Sequence, residues 1–458
     1  MISIITGGAG GDTESDHHGI IGSLSPGGGP AGEVRSAVNI LLISANTERI
    51  NVPTLPLGPA LVGAAARAAG HEVVLLDLLR ETDPAATTRA IGMLRPDVIG
   101  ISVRNIDDQC MESPRFLLGQ AADLVATCRA WSSAPLVLGG AGYGIFPDAA
   151  LAYLGADYGV CGEGEATFPA LLARLERGED PASLPGVYAA HGRGGTTPTV
   201  ASNLDDFPDP PGDLWPTADP AESDLWVPVQ SRRGCPLDCS YCSTARIEGR
   251  AVRARDPRRV VAEMARLSRD GFRRFYFVDS TFNRPLAYAL ELCRCIAAQR
   301  LDILWRCILY PHEVPEALAR AMAEAGCVEV GLGFESGSPR ILRAMNKQYL
   351  PGEVREISDR LAAHNIRRMG FLLLGGPGET QETVEESLAF ATSLRLDLLK
   401  VTTGIRIYPG TPLAGIAIQK GVIGAEDDLL LPRFYLSPGV KPPTPLPVRW
   451  GPGPAYSA

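Results

Sequence analysis

Short apolar runs alternate with helix-length stretches through most of this chain, in two blocks, and that rhythm restricts it to a parallel α/β architecture. In the first block, Val38-Asn-Ile-Leu-Leu-Ile43 is a β-rich run, and Gly58 to Ala69 reads as an Ala-rich helix ended by Gly70. His71 to Asp77 is a second strand, Ala85 to Leu94 a helix and Asp97 to Val103 a third strand. Phe116 to Trp131 is helical, Pro135 to Gly139 a fourth strand, Ala156 to Cys161 a fifth, and Thr167 to Arg177 a closing helix. Five such strands, apolar throughout and separated by helices, imply a doubly wound parallel sheet. Ligands bind such sheets at the carboxyl ends of the strands. The loops there are small and polar: Ser102, Arg104 and Asn105 after the third strand, Gly139-Gly140 after the fourth, Glu163-Gly164 after the fifth.

The second block begins at about Trp226. Its strands are expected near 226–230, 274–279, 303–309, 328–334, 368–374 and 398–407, each but the last followed by a helix. Six β/α units in series are the pattern of a partial, TIM-like (β/α)6 barrel, whose chemistry sits at the C-terminal strand ends. The residues that fall there are Cys235 to Cys242, Asp279, Arg306, Glu335-Ser336 and Gly375-Gly376-Pro377-Gly378-Glu379.

The loop after the first of these strands reads Gly234-Cys235-Pro-Leu-Asp-Cys239-Ser-Tyr241-Cys242. Three thiolates at this spacing can hold three corners of a cubane iron–sulfur cluster, leaving one iron open to a small chelating molecule. A zinc site would want a fourth Cys or His close by, and the nearest histidines are His191 and His312. Three unrelated core cysteines have no reason to cluster in a Gly/Pro-rich loop.

Cys235-x3-Cys239-x2-Cys242, with Tyr241 before the last cysteine, resembles the signature of the radical SAM superfamily. That resemblance implies a [4Fe-4S] cluster and S-adenosyl-L-methionine, with the free iron binding the amino and carboxylate groups of the latter. It further implies that Glu335-Ser336 contacts ribose and methionine, that Gly376 and Glu379 belong to the Gly-rich strand under adenine, and that Tyr241 holds the adenine edge through its backbone carbonyl. By the same resemblance Asp279 is placed for the methionine ammonium, and Arg306 is either a carboxylate ligand or a salt-bridged arginine.

Residues 38 to 190 are similar to the cobalamin-binding domain that precedes many radical SAM cores. The resemblance assigns Ser102, Gly139, Gly140, Glu163 and Gly164 to a cobalamin site, and Arg104 and Asn105 to contacts near the corrin face. The first βα loop, Ser44-Ala45-Asn46-Thr47-Glu48-Arg49, carries no histidine, so the family's usual lower axial ligand is absent. The alternative is a response-regulator-like or degenerate Rossmann sheet without cofactor; no GxGxxG follows the first strand.

The domains expected are a disordered Gly-rich leader (1–35, including His17-His18), a cobalamin-binding domain (36–200), a Pro/Asp-rich linker (201–225), a radical SAM core (226–420) and a short tail (421–458) whose ordered part is Phe434 to Ser437. No apolar run approaches the roughly 18 residues that span a bilayer, and no secretory signal is visible. A cytoplasmic protein is expected, with ten cysteines that are metal-binding, catalytic or buried. Net charge is −9, so nucleic acid is not expected as a partner. The eight arginines between Arg232 and Arg259 read as a solvated rim. Cys293, Cys295, Cys307 and Cys327 read as core, whereas Cys110, Cys128 and Cys161 leave open a second, methylthiotransferase-type cluster.

The two-module order implies a cobalamin-dependent radical SAM methyltransferase acting on an unactivated carbon or phosphorus centre of a small molecule, lipid or natural-product precursor. An electron donor such as flavodoxin or ferredoxin would reduce the cluster. Cobalamin-assisted cyclisation or rearrangement, methylthiolation, and a non-enzymatic cobalamin carrier are the alternatives.

Overall fold

The computed structural model describes residues 37–441, except 49–53, 193–194, 196, 199, 216–217, 221 and 223–224. The leader with His17-His18 and the tail beyond 441 lie outside the described residues.

The first sheet contains β1 (Asn39–Ser44), β2 (Glu72–Asp77), β3 (Val98–Ser102), β4 (Leu136–Gly139), β5 (Tyr158–Val160) and β6 (Val187–Ala189), in the order β2-β1-β3-β4-β5-β6. β1 to β5 are parallel, as expected. β6 is antiparallel to β5 and was not expected; a three-residue strand carries too little periodicity to be read. Five helices cover the two faces: α1 (Leu57–Ala68), α2 (Ala86–Leu94), α3 (Leu118–Trp131), α4 (Pro147–Leu154) and α5 (Gly164–Glu176). β1 is buried along nearly its whole length, which is why it reads as a continuous apolar run rather than an alternation.

β7 (Val227–Val229) opens the second sheet. A short antiparallel pair, β8 (Arg232–Arg233) and β9 (Arg253–Ala254), brackets the cysteine loop and α6 (Thr244–Glu248). Then follow α7 (Pro257–Arg269), β10 (Arg274–Phe277), α8 (Leu286–Gln299), β11 (Leu304–Leu309), α9 (Glu316–Glu324), β12 (Cys327–Glu335), α10 (Pro339–Ala344), α11 (Pro351–Ala363), β13 (Arg367–Leu374), α12 (Gln381–Ser393) and β14 (Leu398–Thr403). The order β14-β13-β12-β11-β10-β7 is sequential and all parallel, the open barrel anticipated. The stretch 398–407 divides at Gly404 into β14 and β15 (Ile405–Arg406). After α13 (Pro412–Gln419), β15 pairs with β16 (Phe434–Tyr435). Helix starts follow local chemistry: Asp256 accepts from Arg258 N at 2.8 Å ahead of Pro257, and Thr380 and Thr383 cap α12 reciprocally.

Trp305, Phe275, Phe277 and Phe282 fill the helical side of the second sheet, with ring centroids of Phe277 and Trp305 5.2 Å apart. This core is continuous with Ile40, Leu42 and Val73 on one face of the first sheet. Within the segment 201–225, residues 207–210 are tied to the barrel. Arg255 pairs with Asp209, Arg259 donates to the Phe207 carbonyl at 2.6 Å, and Arg266 donates to the Pro210 carbonyl at 2.7 Å.

Candidate functional site

The carboxyl end of the first sheet is an accessible mouth. Ser102, Asn105, Gly139 and Asn46 are half-buried there, and Arg104 and Gly140 are exposed. Asn105 Nδ2 donates to Asn46 Oδ1 at 3.2 Å, and Arg104 donates to Thr54 Oγ1 at 3.1 Å. Gly140 has φ +98°, and a β-carbon there would lie 2.6 Å from the Val103 carbonyl oxygen, so only glycine lets this turn close on the β3 loop. These residues come together as expected.

The loop following β3 reaches the second sheet. Arg104 lies close enough to Tyr276 of β10, and Cys110 to Lys400 of β14, for each pair to interact electrostatically. A β-carbon on Gly404 would meet Met111 Sδ at 2.3 Å. Arg406 Nε donates to Asp107 at 2.8 Å in a fully buried pair, and its other donors take the carbonyls of Ile407 and Leu429. Beneath this loop lies the inner face of the barrel. Trp305, Cys307 and Leu309 point to the helices, so the alternation of a strand turns Arg306 and Ile308 inward. The inward residues Tyr276, Ile308, Met369, Phe371, Leu398, Lys400 and Thr402 are only half-buried, which makes this inner face reachable. A recess of about 460 Å³ opens elsewhere, beside Ala254, Arg255, Pro257 and Tyr288, and no residue of the six barrel strands lines it.

The cysteine loop sits at the rim of that face. Cys235 is buried, Cys239 half-buried and Cys242 exposed. Burial pushes the Cys235 and Cys239 thiols up, and each is raised further by the neighbouring cysteines. Among the described residues no three His, Cys, Asp or Glu side chains converge as ligands of a single ion.

Lys347 was missed by sequence reasoning. Its side chain is buried, donates to Tyr241 Oη at 3.0 Å and pairs with Glu335 at 3.5 Å. Burial opposes its charge, but Glu335 and the Cys239 thiol outweigh it, so the ammonium lies above its ordinary value. Nothing local marks this lysine; only the fold brings it twelve residues back to Glu335. Glu335 itself ends β12 at a bulge with φ +59°, a strained conformation for a non-glycine residue. Glu248 was also missed: it accepts from Gly234 N at 3.1 Å and from Ser280 Oγ at 3.0 Å, which fixes the start of the cysteine loop.

Several expected ligand residues have their atoms committed elsewhere. Asp279 accepts from Ser231 N at 2.8 Å, Ser231 Oγ, Arg232 N at 3.1 Å and the Arg232 guanidinium at 3.3 Å. Ser336 is fully buried and bonded to Ser387 Oγ at 2.9 Å and Ser338 N at 3.1 Å. Glu379 has one oxygen, Oε2, stapled to the amides of Gly375 and Gly376 and the other buried without a hydrogen bond, and a β-carbon on Gly376 would meet Met345 Cε at 2.7 Å. Arg306 pairs with Glu329 at 3.6 Å, 4.3 Å from the ring centre of Trp226 and 4.8 Å from that of Tyr276; of its two readings, this is the salt-bridged one. Glu163 faces Arg233 and Arg253 rather than the open mouth, and Gly164 lets α5 pack on Val62 of α1.

The arginine run is no solvated rim. Of its eight members, Arg232, Arg233, Arg253 and Arg255 enter ion pairs with side chains no more than 12% exposed, and Arg246 donates to the Ile145 carbonyl at 3.2 Å. Cys128 and Cys161 are buried, Cys128 against the first sheet through α3, while Cys110 faces Ser113 on the loop after β3. The three stand on separate elements: Cys128 on α3, Cys110 on the loop after β3, and Cys161 directly after β5 with its thiol toward the Gly144 carbonyl.

Two family models match the chain: a B12 binding domain over residues 43–172 and the Radical SAM superfamily over residues 229–391. An uncharacterized methyltransferase of Pyrococcus horikoshii is 29% identical over 80% of this chain and 79% of its own length. Tryptophan 2-C-methyltransferase of Streptomyces laurentii is 26% identical over 81% of this chain and 73% of that protein. The solved structure of the radical S-adenosylmethionine methyltransferase TsrM from Kitasatospora setae, with cobalamin and a [4Fe-4S] cluster bound, superposes with a TM-score of 0.79 at 23% identity, covering 88% of each chain. With a cysteine loop of the right spacing at the right strand end, behind a doubly wound sheet, the chain carries a Radical SAM domain that follows a B12 binding domain.

Proposed function

We propose that this chain is a cobalamin-dependent radical S-adenosylmethionine methyltransferase acting on an unactivated carbon or phosphorus centre of a small molecule. The observation that carries the reading is the loop after β3. It brings the mouth of the first sheet over the inner face of the barrel through Arg104, Asp107, Cys110 and Met111. The curated relatives that match four fifths or more of this chain are methyltransferases, one of them a tryptophan 2-C-methyltransferase, whereas the methylthiolating relatives match under two fifths of it.

Cys235, Cys239 and Cys242 would hold the [4Fe-4S] cluster, and Lys347 would offset the charge of its thiolates. Glu335, the Tyr241 backbone and the Gly375-Gly376 turn would receive S-adenosylmethionine; a carboxylate suits a ribose diol because it accepts two hydrogen bonds. Ser102, Arg104, Asn105, Gly139 and Gly140 would meet cobalamin. When bound, these groups supply radical generation and methyl transfer; the chain orients them and covers the space between. The half-buried apolar residues Ile308, Met369, Phe371 and Leu398 would shield a substrate there from water. An external one-electron donor, flavodoxin or ferredoxin, would reduce the cluster, in keeping with a reducing cytoplasm.

Protein purified without oxygen and supplied with cobalamin is expected to show about four irons per chain and a cobalamin spectrum. The Cys235→Ala, Cys239→Ala, Cys242→Ala triple variant should lose the iron and keep the cobalamin. With substrate, release of both 5′-deoxyadenosine and S-adenosylhomocysteine supports methylation. Deoxyadenosine alone would replace it with cyclisation or rearrangement, and cobalamin without iron would reduce the protein to a carrier.

A further inference from the structure

Glu163 stands at the N-cap of α5 and Glu165 in its first turn, after the strand end of β5, and they face Arg233 and Arg253 of the β8/β9 pair that brackets the cysteine loop. Arg233 lies 3.3 Å from Glu163 and bonds to Glu165; Arg253 bonds to Glu163 and donates to the Ala201 carbonyl at 3.0 Å. Glu163 Oε2 also accepts from Ala201 N at 2.6 Å. The side chains are 8%, 5%, 12% and 11% exposed, for Glu163, Glu165, Arg233 and Arg253 in turn. The space beside Glu165 and Arg233, about 20 Å³, holds little more than one water. A broken pair would therefore leave a stranded charge rather than a rehydrated one.

Within the cysteine loop, Leu237 packs on the second sheet, Ser240 N donates to the Met345 carbonyl at 3.1 Å and Leu413 N donates to the Ser240 carbonyl at 2.8 Å. Those ties hold the loop to its own barrel. Toward the first sheet α6 offers no fully buried residue: its Ile247 and the loop's Tyr241 pack half-buried against the cluster of Leu41, Ile99 and Tyr143, and its Arg246 makes one hydrogen bond to the Ile145 carbonyl. The two-by-two ion cluster is the charged, buried tie in that direction, and it ends two residues before Cys235. We infer that Glu163, Glu165, Arg233 and Arg253 form an ionic latch that fixes the cysteine loop against the strand ends of the first sheet, and that they are positioning residues for transfer between the two cofactor sites. The inference about transfer rests on the proposed function; the latch itself does not.

The test compares reconstituted wild type with the E163Q/E165Q variant. Amide hydrogen exchange in residues 234–249 should quicken by at least about tenfold while β1 and β12 keep their protection. The magnetic interaction between the reduced cluster and cob(II)alamin should weaken although iron and cobalt contents are unchanged. Equal loop exchange and equal magnetic interaction in a fully loaded variant would overturn the latch. If the Gln variant does not fold, Arg233→Glu is compared with the exchanged pair Arg233→Glu, Glu165→Arg. Recovery of loop protection by the exchanged pair supports the latch, and failure to recover it counts against it. A wild type that takes up no cobalamin would sink the functional reading, while the exchange measurement would still decide the latch.

Discussion

Asp77 and Asp279 are buried carboxylates at strand ends, and their oxygens are used in opposite ways. Asp279 is filled by four donors from Ser231 and Arg232, so it holds β7 and β8 together. Asp77 is 8% exposed, receives Leu79 N at 3.2 Å on one oxygen, and buries the other without a hydrogen bond. Burial pushes its carboxyl up to about 6, against the lowering pull of the Leu79 amide and Arg80. The folded pKa thus exceeds the unfolded one near about 4. Between those values the native state binds more protons, so this group's contribution falls as pH rises from about 4 to 6. Asp77→Asn is expected to raise unfolding free energy near neutral pH by up to about 3 kcal/mol, and to change little below about pH 4. Urea unfolding at the two pH values reads the difference; an equal shift at both would show that titration is not the cause. The contrast also explains which site residues were legible. The cysteines and Glu335 are recognised by type and spacing. Whether Asp279, Ser336 and Glu379 hold a ligand or hold the chain depends on which backbone amides reach them, and those amides are tens of residues away or around a turn. Lys347 escaped for the same reason, since its partners are Tyr241, Glu335 and Cys239.

At the scale of elements, apolar alternation placed β1 to β5 and the six barrel strands, because burial between helices leaves a continuous signal in each. It did not place β6, β8, β9 or α13, which are short or held by contacts distant in sequence. The arginine run shows the same limit: composition reveals eight cations but not that Asp209, Glu163, Glu165 and Glu263 lie against them. β15 offers a direct test of such contacts. Arg406 and Asp107 are 2% and 1% exposed, and Arg406 stacks 5.6 Å from the ring centre of Phe146 and 5.2 Å from that of Tyr408. Arg406→Met strands a buried carboxylate and frees the Leu429 and Ile407 carbonyls, an expected loss of about 3–5 kcal/mol. Adding Asp107→Leu should recover part of that loss, since the stranded charge then goes too. A double variant no more stable than the single one would place the cost in the lost carbonyl bonds instead.

For the whole molecule, the arrangement of cores decides how it unfolds. One buried cluster runs from Ile40, Leu42 and Val73 of the first sheet to Phe275, Phe277 and Trp305 of the second. Another joins Leu41, Ile99 and Tyr143 to Ile341, Met345 and Ile405. Both faces of the first sheet are therefore continuous with the barrel, and the described residues form one compact unit. Modules that share cores on both sides do not gain by melting separately, because opening either one exposes apolar surface on the other. The chain is expected to unfold in urea as a single transition, with far-UV circular dichroism and tryptophan fluorescence tracing the same curve. Trp305 and Trp226 report from the barrel and its junction, and Trp131 from the far end of α3. Two separated transitions would mean that the shared clusters contribute less than each sheet's own packing. In that case the Arg406–Asp107 pair and the four-residue latch, rather than the apolar faces, would carry the coupling, and E163Q/E165Q would widen the gap between the two midpoints.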